Sequence, residues 1–410
     1  MKRLSVMALA MLFLSIEASP AQTAPPMPAP PAQPVQPATP VPVPVETAKQ
    51  VAPATPLPTP AAVLDPSLAH ELEAAIGSSL DWLAACQRAD GSWSDTNYPA
   101  LTAMPLWAFA QSNHPRKAEV CEKAVKFLLG FVQEDGGIYV KVKDRKGGGL
   151  GNYNTAISMT ALHATGRPDL IPVIQKAREY VAAGQHLGDD QYRGGFGYDW
   201  ATDRAYADLM NTAWATEAMR LTQDVEGMRT GATKRADIDW EATAKFLERL
   251  QKSAEAGGFP YRPDESKAGE YTNEAGKVVL RSYGSMTYSG MLSMIYCRVS
   301  RDDPRVKSAF DWARNHWSLD ENPGMGPQGL YWFYHIITKS LAAYGEDNFK
   351  IQTGANVKWR TQVVERMLSL KKTDPQGRVF WLNESGRFME SDPVLSTAYT
   401  LLALQIASGL

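Results

Sequence analysis

The segment Trp82–Trp93, with the sequence WLAACQRADGSW, contains the pattern that decides the fold of this chain. A helix-forming stretch leads to a Gln, and three residues then separate this Gln from a glycine that precedes an aromatic residue. The segment Phe246–Phe259, FLERLQKSAEAGGF, repeats the same order of parts. Recurrence of one unit is typical of a repeat architecture, in which each unit is stabilised by its neighbours.

The unit occurs six times from Ser67 onward. Each copy contains an amphipathic first helix, a glycine-bearing loop and a second helix that is more apolar. The first helices centre on Trp82-Leu83, Phe127-Leu128, Tyr180-Val181, Phe246-Leu247, Trp312-Ala313 and Met367-Leu368. The second helices begin near Thr102-Ala103, Thr155-Ala156, Thr212-Ala213, Thr287-Tyr288, Tyr334-His335 and Thr397-Ala398.

The distribution of charge predicts which helices face solvent. The first helix of the second repeat carries Lys117, Glu122, Lys123 and Lys126, as a helix of an outer ring requires. The second helices are poorer in charge and suit an inner ring. The pattern therefore predicts an all-α (α/α)6 toroid, a double ring of six helix pairs, over residues 65–410.

Four segments carry a resemblance to a known repeat. The segments with Gln87 and Gln251 resemble the QW repeat of squalene cyclases well, and those with Gln185 and Gln133 resemble it weakly. The fifth and sixth repeats have Trp317 and Lys372 where Gln is expected. The chain thus resembles the terpenoid-cyclase and protein-prenyltransferase toroids over Ser67–Leu410.

This resemblance implies fold more strongly than function, because the QW side chains of the family bridge neighbouring outer helices. It also implies that all inner helices point the same way, so that their N-termini surround one mouth of the ring. Free N–H groups and helix dipoles are expected to make this mouth electropositive. The cyclases and prenyltransferases of these families carry out diphosphate or carbocation chemistry at the level of this mouth.

The position of the cyclase acid is altered in this chain. Squalene cyclases begin one inner helix with Asp-x-Asp-Asp-Thr-Ala, whose middle Asp protonates the substrate. In the matching stretch Asp208–Ala213, Met210 and Asn211 replace the second and third Asp. A thioether cannot deliver a proton, and an amide cannot tune a neighbouring acid as a carboxylate does. Asp208 is a candidate catalytic acid, and its simpler interpretation is a helix N-cap.

The zinc position of the prenyltransferases is altered as well. Those enzymes carry Asp-x-Cys-Tyr-Ser and a later His, which together bind zinc. Ser285 and Thr287 stand here in place of the Asp and the Cys, and hydroxyls are poor zinc ligands. The sequence therefore predicts no metal and no cofactor. His335, which matches the family's His, is a candidate catalytic residue or a hydrogen-bonded core histidine.

Aromatic and amide side chains near the predicted mouth are candidates for ligand binding. Aromatic faces suit an isoprenoid or a sugar ring, although core packing between the rings is the simpler role for any one of them. The candidates are Tyr153, Asn154, Asn211, Trp214, Tyr288, Tyr331, Tyr334 and Tyr399, with Trp332 beside them. The loop carboxylates of Asp199, Asp203, Glu390 and Asp392 form a weaker candidate for an acidic pair.

The N-terminal segment predicts export. Lys2 and Arg3 precede the apolar run Leu4–Ile16, which favours a cleaved signal peptide at residues 1–21 over a membrane anchor. Residues 22–64 are rich in Pro and Ala and are expected to form a disordered linker, either a tether or a tail without function. The location is then the periplasm or the extracellular space.

Composition and net charge limit the classes of binding partner that the chain can have. The chain has 410 residues and a net charge of −2, which gives no electrostatic basis for a nucleic-acid partner. No transmembrane span is expected in the mature chain. Three scattered cysteines, Cys86, Cys121 and Cys297, do not form a disulfide framework and are expected to be free thiols.

Three functions follow from these features. In the first, an exported toroid without the cyclase acid and the zinc ligands binds an apolar, isoprenoid-like molecule or a protein partner in its central cavity. In the second, a divergent cyclase or prenyltransferase uses Asp208, His335 or the loop carboxylates. In the third, the barrel binds or acts on glycans.

Overall fold

The computed structural model describes residues 64–142, 149–199, 206–230, 235–255 and 257–409. The predicted signal peptide (1–21) and nearly all of the predicted linker (22–64) lie outside the described residues. Twelve α-helices lie in the described part of the chain: α1 (Pro66–Cys86), α2 (Pro99–Ala110), α3 (Lys117–Leu129), α4 (Gly151–Ala164), α5 (Ile171–Ala183), α6 (Leu209–Leu221), α7 (Trp240–Ser253), α8 (Gly284–Tyr296), α9 (Pro304–Asn315), α10 (Leu330–Tyr344), α11 (Trp359–Ser369) and α12 (Pro393–Ser408).

The twelve helices form two concentric rings. The even-numbered helices pack each against the next, from α2 through α12, and α12 packs against α2. The odd-numbered helices lie outside this inner ring, where α3, α5 and α9 pack against α2, α4 and α8, and α1 and α11 pack against α12. The predicted (α/α)6 toroid is confirmed, and its inner ring is closed.

Burial follows the predicted difference between the two kinds of helix. In α3 the buried side chains are Val120, Ala124, Val125 and Leu128, which lie on one face at helical spacing. In α2 every residue is buried. An outer helix thus buries one stripe, whereas an inner helix is covered from both sides.

The described loops contain three short antiparallel hairpins: β1 (Glu270–Thr272) with β2 (Val278–Leu280), β3 (Asn348–Lys350) with β4 (Asn356–Lys358), and β5 (Lys372–Thr373) with β6 (Val379–Phe380). Short 3₁₀ helices lie at Pro168–Leu170, Gln223–Met228 and Arg387–Met389. The sequence pattern predicted none of these elements, because each is too short to show a period.

Glutamine side chains connect three of the repeats to the next outer helix. In each case the side-chain Nε2 donates to a backbone carbonyl at the start of that helix: Gln87 to Val120 (3.0 Å), Gln185 to Asp239 (2.9 Å) and Gln251 to Arg305 (2.9 Å). Gln133 differs, since it donates to carbonyls of its own repeat, at Phe131 and Tyr139.

Other residues bridge the outer helices where Gln is missing. Trp317 Nε1 donates to Gln362 Oε1 of α11 at 3.2 Å. In the sixth repeat the bridge is made by Lys371, whose Nζ lies 2.7 Å from Glu71 Oε1 of α1 and so connects the last outer helix to the first. Lys372, which aligns with the expected Gln, pairs instead with Glu384 in the same loop.

The loop glycines allow the loops to approach the next outer helix closely. Gly194 has φ 94°, and a Cβ there would overlap the backbone carbonyl of Ala242 in α7. Gly257 has φ 89° and is placed in the same way against Ser308 in α9. Glycine is required at both positions by conformation and by space.

The threonines that begin the inner helices are a second structural feature of the repeat. Each Thr Oγ1 accepts a hydrogen bond from a backbone N–H of the preceding loop: Thr102 from Trp93, Thr155 from Ile138, Thr212 from Phe196, Thr287 from Phe259 and Thr397 from Trp381. The Thr that Asp208–Ala213 shares with the cyclase motif therefore has a role in the fold.

Two further features concern the chain as a whole. Cys86, Cys121 and Cys297 are free thiols. Among the described helices, none combines the length and the apolar character needed to cross a bilayer.

Candidate functional site

Side chains from helices on opposite sides of the inner ring meet at His335 of α10. Its ring centroid lies 5.4 Å from that of Tyr399 (α12), 5.9 Å from that of Trp214 (α6) and 6.3 Å from that of Trp107 (α2). Helices α2 and α6 are not neighbours of α10 in the ring. His335 therefore lies near the ring axis.

Four aromatic residues, here called the aromatic wall, surround this point: Tyr153, Trp214, Trp332 and Tyr399. The Trp332 ring lies 5.0 Å from Trp214 and 5.8 Å from Tyr399, and Tyr153 lies edge-on to Trp214 at 6.4 Å. The Tyr153 and Tyr399 hydroxyls are hydrogen-bonded to each other. These contacts join α4, α6, α10 and α12 around one centre.

Burial increases with depth below the mouth. Tyr153, Met210 and Trp332 are only partly buried although they belong to inner helices, and each lies in the first turn of its helix. His335, one turn further along α10, is fully buried. The exposed part of the centre therefore lies at the first turns of these helices, and the side chain of His335 below it is packed.

A buried ion pair lies one helical turn beyond His335 and spans the inside of the ring. Lys339 Nζ of α10 lies 2.7 Å from Oε1 and 2.8 Å from Oε2 of Glu217 on α6. The same Nζ lies 4.4 Å from the Trp107 ring centroid, within cation–π distance. Tyr296 donates its hydroxyl to Glu217 Oε1 at 3.3 Å. Burial lowers the pKa of Lys339, and the Glu217 carboxylate opposes this shift.

Three polar atoms at the centre are unpaired. Nδ1 and Nε2 of His335 and Nε1 of Trp332 have no hydrogen-bond partner among the described residues. Within the described part of the chain, no protein group makes the hydrogen bond expected of a core histidine at this position. Burial, together with the Lys339 charge, lowers the pKa of His335 well below its ordinary range. The neutral ring presents one donor and one acceptor nitrogen.

Asp208 is the N-cap of α6. Its Oδ1 accepts from the Asn211 backbone N–H at 2.8 Å and its Oδ2 from Asn211 Nδ2 at 2.7 Å. The hydroxyls of Tyr206 and Tyr261 also donate to this carboxyl. Burial raises the pKa of Asp208 despite these donors. The N-cap interpretation is confirmed.

The N–H groups expected to be free at the mouth are occupied by the chain itself. Side-chain oxygens accept from the first turn of five inner helices: Asn154 from Ala100 in α2 (3.2 Å), Asp208 from Asn211 in α6, Asn322 from Ser285 in α8 (2.9 Å), Glu390 from Trp332 in α10 (2.7 Å) and Asp392 from Val394 in α12 (2.9 Å). Caps therefore satisfy at least one of the donors that were expected to be free at each of these five helix ends.

Two of the four loop carboxylates, Glu390 and Asp392, accept hydrogen bonds at these helix ends. Glu390 is fully buried, accepts from Asn383 Nδ2 at 2.6 Å as well as from α10, and has a pKa that burial raises. Asp392 caps α12, and Asp199 is buried. Asp203 lies outside the described residues. In the described part of the chain, no group of three or more His, Cys, Asp or Glu side chains is arranged to bind a metal.

Comparison with solved structures identifies the architecture. A type II terpene cyclase from Scytonema, in complex with its product merosterolic acid A, is similar with a TM-score of 0.51 and 13% identity over 84% of this chain and 99% of the cyclase. Protein geranylgeranyltransferase-I of Candida albicans, complexed with GGPP, is similar with a TM-score of 0.51 and 12% identity over 81% of this chain and 90% of that chain.

The fold is the α/α toroid that this terpene cyclase and this protein geranylgeranyltransferase have in common. A D-mannose isomerase has a similar fold, with a TM-score of 0.53 and 14% identity over 84% of this chain and 99% of the isomerase. No family model and no curated protein matches the toroid's sequence. At these identities the likeness concerns architecture.

The toroid brings together only some of the side chains that the sequence suggested. Tyr153, Trp214, Tyr399 and His335 meet at its centre, as described above. Asn154 and Asn211 are engaged at helix N-termini, together with Asp208.

Three of the suggested tyrosines lie between packed elements of the toroid. Tyr288 contacts Phe333 at 5.8 Å, and Tyr331 contacts Tyr334 at 5.9 Å. The Tyr334 hydroxyl donates to the Leu319 carbonyl in the loop before α10. All three side chains are buried, and these contacts are of the kind that core packing provides.

Sequence reasoning missed Trp107, Glu217 and Lys339. A signal for two of them was present, because Glu217 is the only acidic residue and Lys339 one of two fixed cations on the inner helices. Two opposite charges on otherwise apolar helices indicate a buried pair. That these two residues pair with each other across the ring could be recognised only from the tertiary structure.

Proposed function

We propose that this chain is an exported, squalene-cyclase- and prenyltransferase-like toroid that binds an apolar, isoprenoid-like molecule at the mouth of its ring, without the acid and the zinc ligands of those enzymes. The observation that carries the proposal is the aromatic wall around His335, which is open at the first helical turn and packed below it. Aromatic faces bury a large apolar area and are well suited to a hydrocarbon chain.

Two features support binding over cyclisation. Met210, in the first turn of α6, takes the place of the proton-donating Asp and offers a flexible thioether to an apolar ligand. Asp208 is held by Asn211 and two tyrosine hydroxyls. A carboxyl with this many donors is well satisfied where it stands, as a structural cap is.

The similar solved proteins support the class of ligand. The Scytonema cyclase has been observed with geranylgeranyl dihydroxybenzoate and with merosterolic acid A, and the Candida transferase with GGPP. These ligands belong to those proteins. We transfer from them only the expectation that the ligand contains an isoprenoid hydrocarbon.

The test is a binding experiment on the purified full chain. Lipids are extracted from the protein and identified by mass spectrometry, and geranylgeraniol is titrated while the tryptophan fluorescence is followed. We expect a co-purified isoprenoid or a saturable fluorescence change from Trp214 and Trp332. Absence of both would overturn the proposal, and turnover of squalene or a prenyl diphosphate would replace it with a divergent enzyme.

A pair of methionine variants makes the test specific to the mouth. Met210→Trp places a large ring among the partly buried side chains of the first turn and is expected to abolish binding. The matched control is Met228→Trp, which alters an exposed methionine in the segment that follows the C-terminal end of α6. Equal loss of binding in both variants would argue against a site at the mouth.

Export is the second part of the proposal and rests on Lys2, Arg3 and the apolar run Leu4–Ile16. Intact mass measurement after expression in a bacterial host is expected to give a chain that begins near residue 22 and is found outside the cytoplasm. A full-length mass in the cytoplasmic fraction would contradict export and would leave the binding proposal intact.

We also infer that the segments with Gln87, Gln185 and Gln251 are QW repeats. The inference is supported by the hydrogen bond that each Gln makes to the start of the next outer helix. Stability measurements on Gln185, described below, test it.

A further inference from the structure

The centre of the ring has hydrogen-bonding capacity that the chain does not use. His335 is fully buried, and neither of its ring nitrogens has a partner in the described part of the chain. The Trp332 ring lies 5.8 Å away, and its Nε1 is likewise unpaired among the described residues. Buried polar groups are nearly always paired in proteins, and each exception calls for an explanation. A neutral imidazole and an indole N–H together offer two donors and one acceptor.

The surrounding charge disfavours an anionic group at this point. The inner helices carry two fixed cations, Arg220 and Lys339. Lys339 is already paired with Glu217, and Arg220 donates to the Tyr296 carbonyl and to Gln223. A buried diphosphate would therefore lack compensating charge, and burying an unpaired charge is strongly unfavourable.

The caps of the inner helices add to this effect. The N-termini of α6 and α10 face the mouth with their N–H groups bound to the carboxyls of Asp208 and Glu390. An anion at these helix ends would have to displace the carboxyl oxygens of Asp208 and Glu390, which already accept hydrogen bonds from the same N–H groups. The described ends of α6 and α10 are thus suited to a neutral ligand.

The depth of the unpaired atoms defines where the polar end of a ligand lies. His335 follows Trp332 by three residues, which places it about 4.5 Å further along the helix. Trp332 is partly exposed and its ring lies 5.8 Å from that of His335, so contact between a ligand and the buried imidazole requires the indole to move. One turn below, Lys339 and Glu217 block deeper entry.

Building on the function proposed above, we propose that the ligand carries one uncharged oxygen group, a hydroxyl or a carbonyl, which hydrogen-bonds to His335 and to the Trp332 indole N–H. The hydrocarbon part lies against the aromatic wall toward the mouth. The ligand class is therefore a terpenoid alcohol, aldehyde or ketone, and not a prenyl diphosphate or a pure hydrocarbon.

Three probes with one hydrocarbon chain separate this inference from the underlying proposal. Geranylgeraniol, geranylgeranyl diphosphate and an oxygen-free hydrocarbon of the same length are titrated into the full chain. We expect the alcohol to bind roughly ten-fold more tightly than the other two, as one or two hydrogen bonds allow. Binding of none overturns the proposed function. Equal binding of all three, or tightest binding of the diphosphate, overturns this inference alone.

A histidine variant locates the polar contact. His335→Phe removes both nitrogens in an aromatic environment and is expected to lower the affinity for the alcohol to that for the hydrocarbon, with hydrocarbon binding retained. The matched control is His163→Phe, on inner helix α4 near its C-terminal end, where the imidazole pairs with Asp224 at 2.8 Å. The control is expected to keep the preference for the alcohol.

A second variant keeps the inference falsifiable if the first does not fold. Trp332→Phe retains an aromatic ring at the mouth and removes only the indole N–H and some area. We expect it to reduce the preference for the alcohol several-fold. An unchanged preference in a folded His335→Phe or Trp332→Phe variant would overturn the assignment of the polar contact.

Discussion

Lys339 and Glu217 form an ion pair across the inside of the ring, with Lys339 Nζ 2.7 Å from Glu217 Oε1. The two residues belong to α10 and α6, which do not neighbour each other in the inner ring. Trp107 packs over the ammonium group from a third helix. The pair therefore holds three inner helices together and sets the depth to which the mouth is open.

The first prediction concerns this pair. Glu217→Gln leaves the Lys339 ammonium buried without a counter-charge and is expected to lower the free energy of unfolding by about 3–5 kcal/mol. Urea denaturation measures the change. The exposed pair Lys245–Glu241 on α7 supplies the control, since Glu241→Gln is expected to change stability by less than about 1 kcal/mol.

A double variant distinguishes loss of a charge partner from loss of packing. Glu217→Leu combined with Lys339→Met replaces the pair with apolar side chains of similar size. We expect it to be more stable than Glu217→Gln alone, because no buried charge remains. A double variant less stable than the single one would contradict this account.

The second prediction concerns the bridges between outer helices. Gln185 donates to the Asp239 carbonyl and to Thr243 Oγ1, and accepts from the Asp239 N–H at 2.8 Å. Gln185→Leu leaves buried groups of α7 unpaired and is expected to lower the free energy of unfolding by about 1–3 kcal/mol. Gln133→Leu, which breaks bonds within one repeat only, is the comparison in thermal or urea unfolding.

If the bridge matters as described, the Gln185 variant loses more stability than the Gln133 variant, and α5 and α7 become less protected from hydrogen exchange. Equal losses with unchanged protection of these helices would show that the bridge does not couple neighbouring repeats.

The third prediction concerns a loop glycine. Gly194→Ala requires an alanine at φ 94° and places its Cβ on the Ala242 carbonyl, so α5 and α7 must move apart. We expect a loss of more than about 1 kcal/mol. Gly227→Ala is the control, because Gly227 has an ordinary φ and open space around it, and its loss is expected to be small or reversed. Similar stability of the two variants would refute the steric argument.

The fourth prediction concerns pH. Burial and Lys339 lower the pKa of His335 in the folded chain, whereas the unfolded chain has a pKa of about 6.5. As pH falls below about 6.5, the unfolded state takes up a proton that the folded state does not, so stability decreases by up to about 1.4 kcal/mol per pH unit. Above this pH the group makes no pH-dependent contribution.

The measurement is the difference between the chain and its His335→Phe variant in urea unfolding between about pH 5 and pH 8. The variant is expected to lose less stability on acidification, so the two curves diverge only below about pH 6.5. Parallel curves over the whole range would show that the pKa of His335 is the same in the folded and the unfolded chain.

Local patterns in the sequence were enough to predict the architecture. The charged face of α3 and the wholly apolar α2 distinguish outer from inner helices, because an amphipathic stripe and a fully covered helix differ in composition. Asp208 as an N-cap could likewise be predicted, since the carboxyl accepts from a backbone N–H only three residues further along the chain. The three hairpins could not, because they are too short for a period to show.

The site was only partly predictable. Aromatic residues at the starts of inner helices pointed to Tyr153, Trp214 and Tyr399, but the same criterion selected Tyr288 and Tyr334, which pack elsewhere. Composition cannot separate these groups, because a difference of one or two residues along a helix turns a side chain from the axis to a neighbouring helix.

The sequence by itself determined the repeat, the two kinds of helix and the number of helix pairs, since these depend on periodicity and on contacts within one unit. Only the tertiary structure decided that His335 has no hydrogen-bond partner among the described residues, that Lys339 meets Glu217 and that side-chain oxygens cap the inner helices. Those relationships join residues far apart in the chain, and their distances are set by closure of the ring, which spacing along the sequence does not encode.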